Sequence, residues 1–259
     1  MTDPVFESTV RDGVLRLARP ETRWLSTGHA GGASVGPVAY NVSVPEGWDE
    51  MDVDGYVERR LDAAGFDERG PTLLTGVSMR HARRARLGPV EAVVTAGVSN
   101  PAALPVAESA RSAPVRAVDP TDDGPDATDD GPHAGTVNVF VGTTRALDAG
   151  ALANLVAVAA EAKAATLLSR TGFPGTTTDA VVAACDPAGE ATPYSGSATE
   201  VGSAARACVR DALCASLDAR YGASDDAVPD SVADAAHGVV TDDSASVSIL
   251  TAENDGEAL

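Results

Sequence analysis

The alternation of apolar and polar positions predicts short strands interrupted by two long helices. A β-branched run at residues 136–141 predicts a strand, and the Ala- and Leu-rich run 147–168 predicts a helix with Asp148 near its start. The run 180–184 predicts the next strand, and residues 198–221 predict a second long helix. Because strands and helices do not alternate regularly, the pattern predicts an α+β fold, a layered and mostly antiparallel sheet with both long helices on one face. A parallel α/β sheet is the alternative.

Shorter elements are predicted in the first hundred residues. Asp12-Gly13 is a hairpin signal. The charged run at 80–86 is predicted to be an exposed turn. The remaining predictions are strands at 35–44, 73–78 and 89–98 and an amphipathic surface helix at 52–66.

Two acidic segments lie outside this pattern. Residues 119–133 contain TDDGP twice, which is typical of a disordered surface loop. Residues 223–259 are acidic and poor in large apolar side chains, with candidates for one more strand at 239–240 and 247–250. We therefore expect a single domain at 1–222 that carries a disordered insertion, followed by an acidic, partly disordered C-terminal extension.

The overall charge excludes two classes of partner. The chain has 259 residues with 38 acidic and 19 basic side chains, a net charge of −19. Nucleic acids and anionic membranes both require a basic surface, so neither is expected as a partner. Because the Debye length is only about 3 Å in 1 M salt, an acidic surface is tolerated there, and we expect a protein adapted to a halophilic cytoplasm.

Nothing in the sequence predicts export or membrane insertion. The first ten residues carry Asp3 and Glu7 and lack the basic and apolar regions of a signal peptide. The most apolar stretch, 149–160, is expected to be too short to span a bilayer. The three cysteines form no CxxC pair, which predicts buried structural thiols. We expect a cytoplasmic protein.

Two charged side chains interrupt the apolar helix predicted at 147–168. Glu161 and Lys163 are two positions apart, so they point in different directions, and each needs its own partner if the helix is buried. Lys163 is the only lysine of the chain, and the other 18 basic residues are arginine. A lysine removed from water can serve as a base or nucleophile, whereas one that reaches solvent or pairs with a carboxylate needs no catalytic role. We favour the functional interpretation.

Further polar residues collect at the ends of predicted strands. They are Asn41, Ser99, Asn100, Asn138 and the run 176–179. A glycine loop at 28–33 lacks P-loop spacing, and it is either a flexible turn or a set of backbone N–H groups that face a ligand. An HExxH motif is absent. A hydrolase made from these residues would use Thr, Asp or Glu with Lys as the base, and Asn or backbone N–H groups as oxyanion donors.

An ordered series of motifs over about residues 20–220 resembles the adenosylcobinamide amidohydrolases of the CbiZ type. The motifs are Leu25-Ser26-Thr27 before Gly31-Gly32, LLTGVSM at 73–79, VTAGVSNP at 94–101, GTVNVFV at 135–141, AAEAKAATL at 159–167, GTTTDAVVAA at 175–184, YSG at 194–196 and ATEVG at 198–202. The resemblance implies a role in cobamide salvage. The reaction it implies is hydrolysis of the amide between a corrin propionate side chain and aminopropanol, which converts adenosylcobinamide to adenosylcobyric acid.

Residue roles are assigned on this basis. We expect catalytic roles for Glu161, Lys163, Thr177 and Asp179, with Lys163 and Asp179 in acid–base work. Asn100 or the turn at 176–178 is expected to hold the oxyanion, and whether a threonine or a water attacks stays open. The residues expected to bind substrate are Gly31, Gly32, Asn41, Ser99, Asn100, Asn138, Thr176 and Thr178.

The resemblance implies a corrinoid small-molecule substrate. No metal site and no cofactor are expected, since cobalt enters only as part of that substrate, and a homo-oligomer is left open. Two other functions also stay open at this point. One is a non-catalytic corrinoid-binding or regulatory protein, and the other is an unrelated amidase with a small substrate.

Overall fold

The computed structural model describes residues 4–45, 48, 51–105, 135–222 and 227–249. The α-helices within these ranges are α1 (Val53–Ala63), α2 (Ala149–Thr171) and α3 (Glu200–Tyr221), and two 3₁₀ helices cover Met79–His81 and Val232–Asp234. The strands there are β1 (Glu7–Arg11), β2 (Val14–Ser26), β3 (Gly32–Ser43), β4 (Thr72–Thr75), β5 (Arg83–Leu87), β6 (Val90–Ala96), β7 (Pro101–Ala103), β8 (Val137–Thr143), β9 (Gly175–Thr176), β10 (Ala180–Cys185) and β11 (Val239–Val240). The expected insertion at 119–133 lies outside the described residues.

The main sheet is mixed and mostly antiparallel. Its strand order is β4-β3-β2-β10-β8-β6-β5, and β1 also pairs with β2. The pairs β3–β4 and β8–β10 are parallel, and the other pairs are antiparallel. The β1–β2 hairpin turns at Asp12 and Gly13, whose φ angles are 46° and 75°. The hairpin prediction and the α+β fold class are both confirmed.

Both long helices pack on the same face of this sheet, as predicted. Val94 of β6 and Val139 of β8 lie in one buried cluster with Leu155 of α2 and Leu213 of α3. The shorter helix α1 adds Leu61 to a separate cluster formed with β2 and β3. Apolar burial of this kind contributes about 25 cal/mol per Å² removed from water, so these clusters hold the helices against the sheet.

The main sheet curls until its first strands approach its middle strands. Asn41 of β3 donates to Thr95 Oγ1 of β6 over 2.9 Å, and Asn138 of β8 donates to the carbonyl oxygen of Leu74 in β4 over 2.9 Å. Two strands separate β3 from β8 in the strand order, so only curvature can bring them into contact. Apolar side chains such as Trp24 fill the inner side of the curl.

A small three-stranded sheet lies beside the main one. Its central strand is β7, which pairs antiparallel with β9 and parallel with β11. β11 confirms the strand candidate at 239–240, whereas the candidate at 247–250 forms no strand over its described part, 247–249. The C-terminal extension therefore adds a strand to the fold over part of its length.

The charged segment at 80–86 is mostly strand, which corrects the predicted exposed turn. Its second half opens β5, an edge strand that pairs antiparallel with β6. Arg84 and Arg86 of this strand both lie close to the buried carboxylate of Glu91. A run of arginines without a neighbouring carboxylate is typical of a surface turn. The carboxylate that pairs with these arginines, Glu91, lies on the next strand and is brought beside them only by the pairing of β5 with β6.

Helix α2 is longer than its most apolar stretch indicated. It has 23 residues, and by length and composition alone it could cross a membrane. The expectation that this region is too short to span a bilayer is therefore wrong. Half of its most apolar 18 residues are buried inside the fold, which is typical of a core helix packed between a sheet and a second helix.

Candidate active site

The turn between β9 and β10 is organised by the carboxylate of Asp179. Oδ1 accepts hydrogen bonds from the Val137 backbone N–H, over 2.9 Å, and from the Thr176 hydroxyl. Oδ2 accepts one from the Thr176 backbone N–H, over 3.0 Å, and one from the Lys163 ammonium. Charge-assisted hydrogen bonds are stronger than neutral ones, so these four donors fix the carboxylate where β8, β9, β10 and α2 meet.

Lys163 reaches this turn from the middle of α2. Its side chain is 12% exposed and that of Asp179 is 10% exposed, so solvent screens the ion pair less than it would a surface pair. Gly175 leaves room for both groups, because a Cβ there would lie 2.9 Å from Asp179 Oδ2 and 3.4 Å from Lys163 Nζ. The structure therefore brings together the two residues for which the sequence predicted acid–base roles. The carboxylate partner of Lys163 is also the one that the non-catalytic alternative required.

The loop after β6 lies against the same turn. The carbonyl oxygen of Asn100 accepts the Thr177 backbone N–H over 3.1 Å, and Asn100 Oδ1 accepts the His237 backbone N–H over 3.3 Å. Gly135 packs closely against this loop. A Cβ at position 135 would overlap the backbone nitrogen of Ser99 and lie 2.7 Å from the backbone nitrogen of Asn100. Ser99 and Asn100 thus belong to the cluster, as predicted from their position at a strand end.

The three threonines of the turn have different surroundings. Thr176 is 7% exposed, and its hydroxyl donates to Asp179. The Thr178 hydroxyl lies 2.7 Å from that of Thr136. Thr177 is exposed, and its hydroxyl makes no hydrogen bond within the described part of the chain. Thr177 and Thr178 are both exposed, and of the three hydroxyls that of Thr177 has no hydrogen-bond partner in the described ranges.

Asn41 and Asn138 are in contact with each other inside the curl of the main sheet. Asn138 Nδ2 donates to Asn41 Oδ1 over 2.9 Å, and Asn138 is 0% exposed and Asn41 1% exposed. Asn138 Oδ1 is buried and has no hydrogen-bond partner among the described residues. The structure therefore joins these two predicted binding residues in one buried network, which fixes β3 against β8 and does not open to solvent.

A cavity of about 570 Å³ opens beside the glycine loop at 28–33. Its lining includes Ser26, Gly31, Gly32, Asp54, Glu58 and Leu74. Thr27 connects this loop to β10: its N–H donates to the Val181 carbonyl oxygen and its hydroxyl accepts the Val181 N–H, both over 2.9 Å. The segment that leads into the glycine loop therefore contacts β10 two residues beyond Asp179, and the two predicted glycines lie on the cavity wall.

Glu161 does not belong to this cluster. Its carboxylate is 61% exposed and pairs over 2.8 Å with Arg206 of α3. Each of the two charges has its own partner, as expected, but α2 presents Glu161 to solvent beside a neighbouring arginine. The geometry does not support the catalytic role predicted for Glu161.

Sequence reasoning missed three residues of this region. Thr95 and Thr136 lie inside motifs that were noted, but their contacts depend on the curl of the sheet and on the β9–β10 turn. His237 lies 137 positions from Asn100, in a segment expected to be partly disordered, and no local signal marks it. In the described ranges, no group of three or more His, Cys, Asp or Glu residues is arranged to hold a metal ion.

Comparison with known proteins gives a consistent result. The family model for adenosylcobinamide amidohydrolase (CbiZ) matches residues 2–225. A Halobacterium salinarum protein named adenosylcobinamide amidohydrolase is 58% identical over 94% of this chain and 99% of its own length. A Methanosarcina mazei protein of the same name is 27% identical over 76% of this chain and 90% of its own length. Among solved structures, the PH0078 protein of Pyrococcus horikoshii has a TM-score of 0.41 and 13% identity, covering 82% of this chain and 78% of its own, which is too distant to carry an argument.

Proposed function

The chain belongs to the adenosylcobinamide amidohydrolase family, and from that premise we propose that it hydrolyses adenosylcobinamide. The bond that breaks is the amide between a propionate side chain of the corrin ring and aminopropanol. One water is consumed, and the products are the carboxylate of adenosylcobyric acid and protonated aminopropanol. The observation that carries this proposal is the 58% identity to the Halobacterium salinarum relative over 94% of this chain.

The cluster around Asp179 contains the groups that amide hydrolysis requires. The reaction needs a polarised carbonyl, an attacking oxygen and a proton donor for the leaving amine. In our proposal the Lys163 ammonium, held in place by Asp179, gives its proton to the aminopropanol nitrogen. The side-chain amide of Asn100 donates to the carbonyl oxygen of the substrate, where negative charge develops in the transition state.

Two attacking oxygens are compatible with this arrangement. The first is the exposed Thr177 hydroxyl, and the second is a water held at the same turn. Attack by threonine would form an acyl-enzyme ester that a water then hydrolyses, whereas direct attack by water forms no covalent intermediate. In both cases the attacking oxygen gives its proton to the Asp179 carboxylate, which returns it to Lys163 after the amine has left. Rapid quenching followed by intact-protein mass analysis separates them, because only the ester adds the mass of the corrinoid acyl group to the chain.

The cavity beside the glycine loop holds part of the corrinoid in this proposal. A cobinamide carries neutral amide side chains and a positively charged cobalt centre. The cavity wall combines backbone groups of Gly31 and Gly32 with the carboxylates of Asp54 and Glu58 and the apolar side chain of Leu74. Arg69 lines the same wall, so the cavity offers both hydrogen-bond acceptors and donors to the amide side chains.

The test is mass analysis of adenosylcobinamide incubated with the purified protein in concentrated salt. We expect adenosylcobyric acid and free aminopropanol in equal amounts. A simple aliphatic amide serves as the comparison substrate, and its turnover at a similar rate would indicate a general amidase. Unchanged adenosylcobinamide that stays bound to folded protein would instead identify a corrinoid-binding protein without catalytic activity.

A further inference from the structure

The C-terminal segment 227–241 touches the candidate active site although it lies beyond the residues matched by the family model, which end at 225. Val228 and Val232 of this segment pack against the main core. Gly238 approaches Val232 closely: a Cβ at position 238 would lie 2.7 Å from Val232 Cγ1 and 2.9 Å from its carbonyl oxygen. These contacts show that the segment is folded onto the domain.

The segment is also part of the small sheet that carries the β9–β10 turn. Val239 of β11 lies opposite Ala102 of β7, and Gly175 of β9 lies opposite Ala102 on its other side. Thr241 extends the pairing, because its N–H donates to the Ala103 carbonyl oxygen over 3.0 Å. One short strand, β7, therefore connects the C-terminal segment to the turn that ends at Asp179.

The contact with chemical consequence is the hydrogen bond from the His237 backbone N–H to Asn100 Oδ1, at 3.3 Å. An asparagine amide can present either its oxygen or its NH₂ group in a given direction, and its partners decide which. A donor at Oδ1 selects one of these two orientations. Only the NH₂ group stabilises an oxyanion, because the amide oxygen would repel it.

We propose that the segment 227–241 is a positioning element of the active site, which holds the Asn100 amide in its productive orientation through the backbone N–H of His237. The proposal rests on the oxyanion role that the proposed function gives to Asn100. The imidazole of His237 has no part in it, since the side chain is exposed and the donor is the main chain.

The test compares two substitutions at one position in the full-length chain. His237→Pro removes the N–H, and His237→Ala keeps it while removing the imidazole. We expect His237→Pro to lower kcat for adenosylcobinamide by about ten- to a hundredfold with little change in KM, the signature of an interaction made in the transition state. We expect His237→Ala to stay within about twofold of the wild type. Circular dichroism in the same salt verifies that both variants fold.

A double-mutant cycle establishes whether the effect passes through Asn100. In an Asn100→Ala background, His237→Pro should cause no further loss, because the group that it orients is gone. If proline at position 237 prevents folding, Gly238→Ala replaces it in the test. This variant keeps the His237 N–H but forces Val232 aside, and it should lower kcat only when the Asn100 side chain is present.

The outcomes separate this inference from the proposed function. A wild-type protein that forms no adenosylcobyric acid would overturn the proposed function itself. If the wild type is active and His237→Pro is fully active too, the positioning role alone is overturned. The same holds if His237→Pro lowers kcat equally in the presence and in the absence of the Asn100 side-chain amide.

Discussion

Two carboxylates at opposite ends of the main sheet show how differently one fold can place a negative charge. Glu91 of β6 is 0% exposed, accepts the Val5 backbone N–H over 3.1 Å, and lies 3.0 Å from Arg84 Nε and 3.4 Å from Arg86 Nε. Asp179 is 10% exposed and accepts hydrogen bonds from a lysine, a threonine hydroxyl and two backbone N–H groups.

The partners distinguish a structural from a chemical role better than burial does. Arginine stays protonated throughout the accessible pH range, so neither of the two arginines that pair with Glu91 can give up a proton. Burial raises the pKa of Glu91, and Arg84 opposes this shift. We therefore interpret Glu91 as the anchor of the N-terminal segment, whereas the Asp179 site contains an ammonium and hydroxyls whose protons can move.

The largest effect is expected from Lys163→Met. Removing the proton donor should lower turnover of adenosylcobinamide by about 10²–10⁴-fold, while Asp179 keeps three other hydrogen-bond donors and the chain still folds. Lys163→Arg is the matched control: it keeps the charge but cannot release a proton, so it should be nearly as inactive. Unchanged turnover by Lys163→Met would remove lysine from the mechanism.

A smaller loss is expected from Gly175→Ala. The new Cβ would press on Asp179 Oδ2 and approach Lys163 Nζ. Because a displacement of catalytic groups by about 1 Å can cost about a hundredfold in rate, we expect this smaller displacement to lower kcat by about tenfold. Gly150→Ala in the first turn of α2 is the control, because its nearest neighbour would be Asp148 Oδ1 at an ordinary 3.5 Å. Equal rates for the two variants would show that the ion pair is not positioned for catalysis.

Glu91→Gln should alter the pH dependence of stability and leave turnover at neutral pH unchanged. Because burial raises the pKa of Glu91 above its ordinary value of 4.5, the folded state binds this proton more tightly than the unfolded state does. The resulting stabilisation is complete below the unfolded pKa and is lost as the pH rises through the folded pKa.

The measurement for this variant is the free energy of unfolding between pH 4 and pH 8 in constant salt. The wild type should lose stability relative to Glu91→Gln as the pH increases from about 4.5 upward. Parallel curves for the two proteins would contradict the role given to burial at Glu91.

The smallest effect is expected from Glu161→Gln. Its ion pair with Arg206 is largely exposed, and such pairs contribute about 0–1 kcal/mol to stability. Turnover should stay within about twofold of the wild type, measured by the same product assay. A loss comparable to that of Lys163→Met would restore the catalytic role that the sequence predicted.

Much of the local structure was predictable because it depends on neighbouring residues. Helix α2 begins after Asp148, whose side chain accepts the Ala151 N–H as an N-cap. The hairpin at Asp12-Gly13 and the extents of both long helices follow from turn chemistry and from apolar periodicity in the same way. The motif series identified the family, and the family model and the Halobacterium salinarum relative confirm that identification.

The candidate site was predicted only in part, because its contacts join distant parts of the chain. The unusual lysine, Asp179 and the strand-end residues Ser99 and Asn100 could be selected by residue type. The burial of Asn41 and Asn138 and the contact of His237 with Asn100 could not, since they depend on the curl of the sheet and on the pairing of β11 with β7.

The sequence by itself determined the elements, their apolar faces, the acidic surface and the family, since each of these follows from residue type and spacing along a short stretch. Only the tertiary structure decided which charged side chains meet. Glu161 and Lys163 are two positions apart on one helix, yet the first faces solvent and Arg206 while the second faces Asp179. A rotation of about 200° around the helix axis separates them, and the packing of α2 between the sheet and α3 determines which of the two lies against the turn.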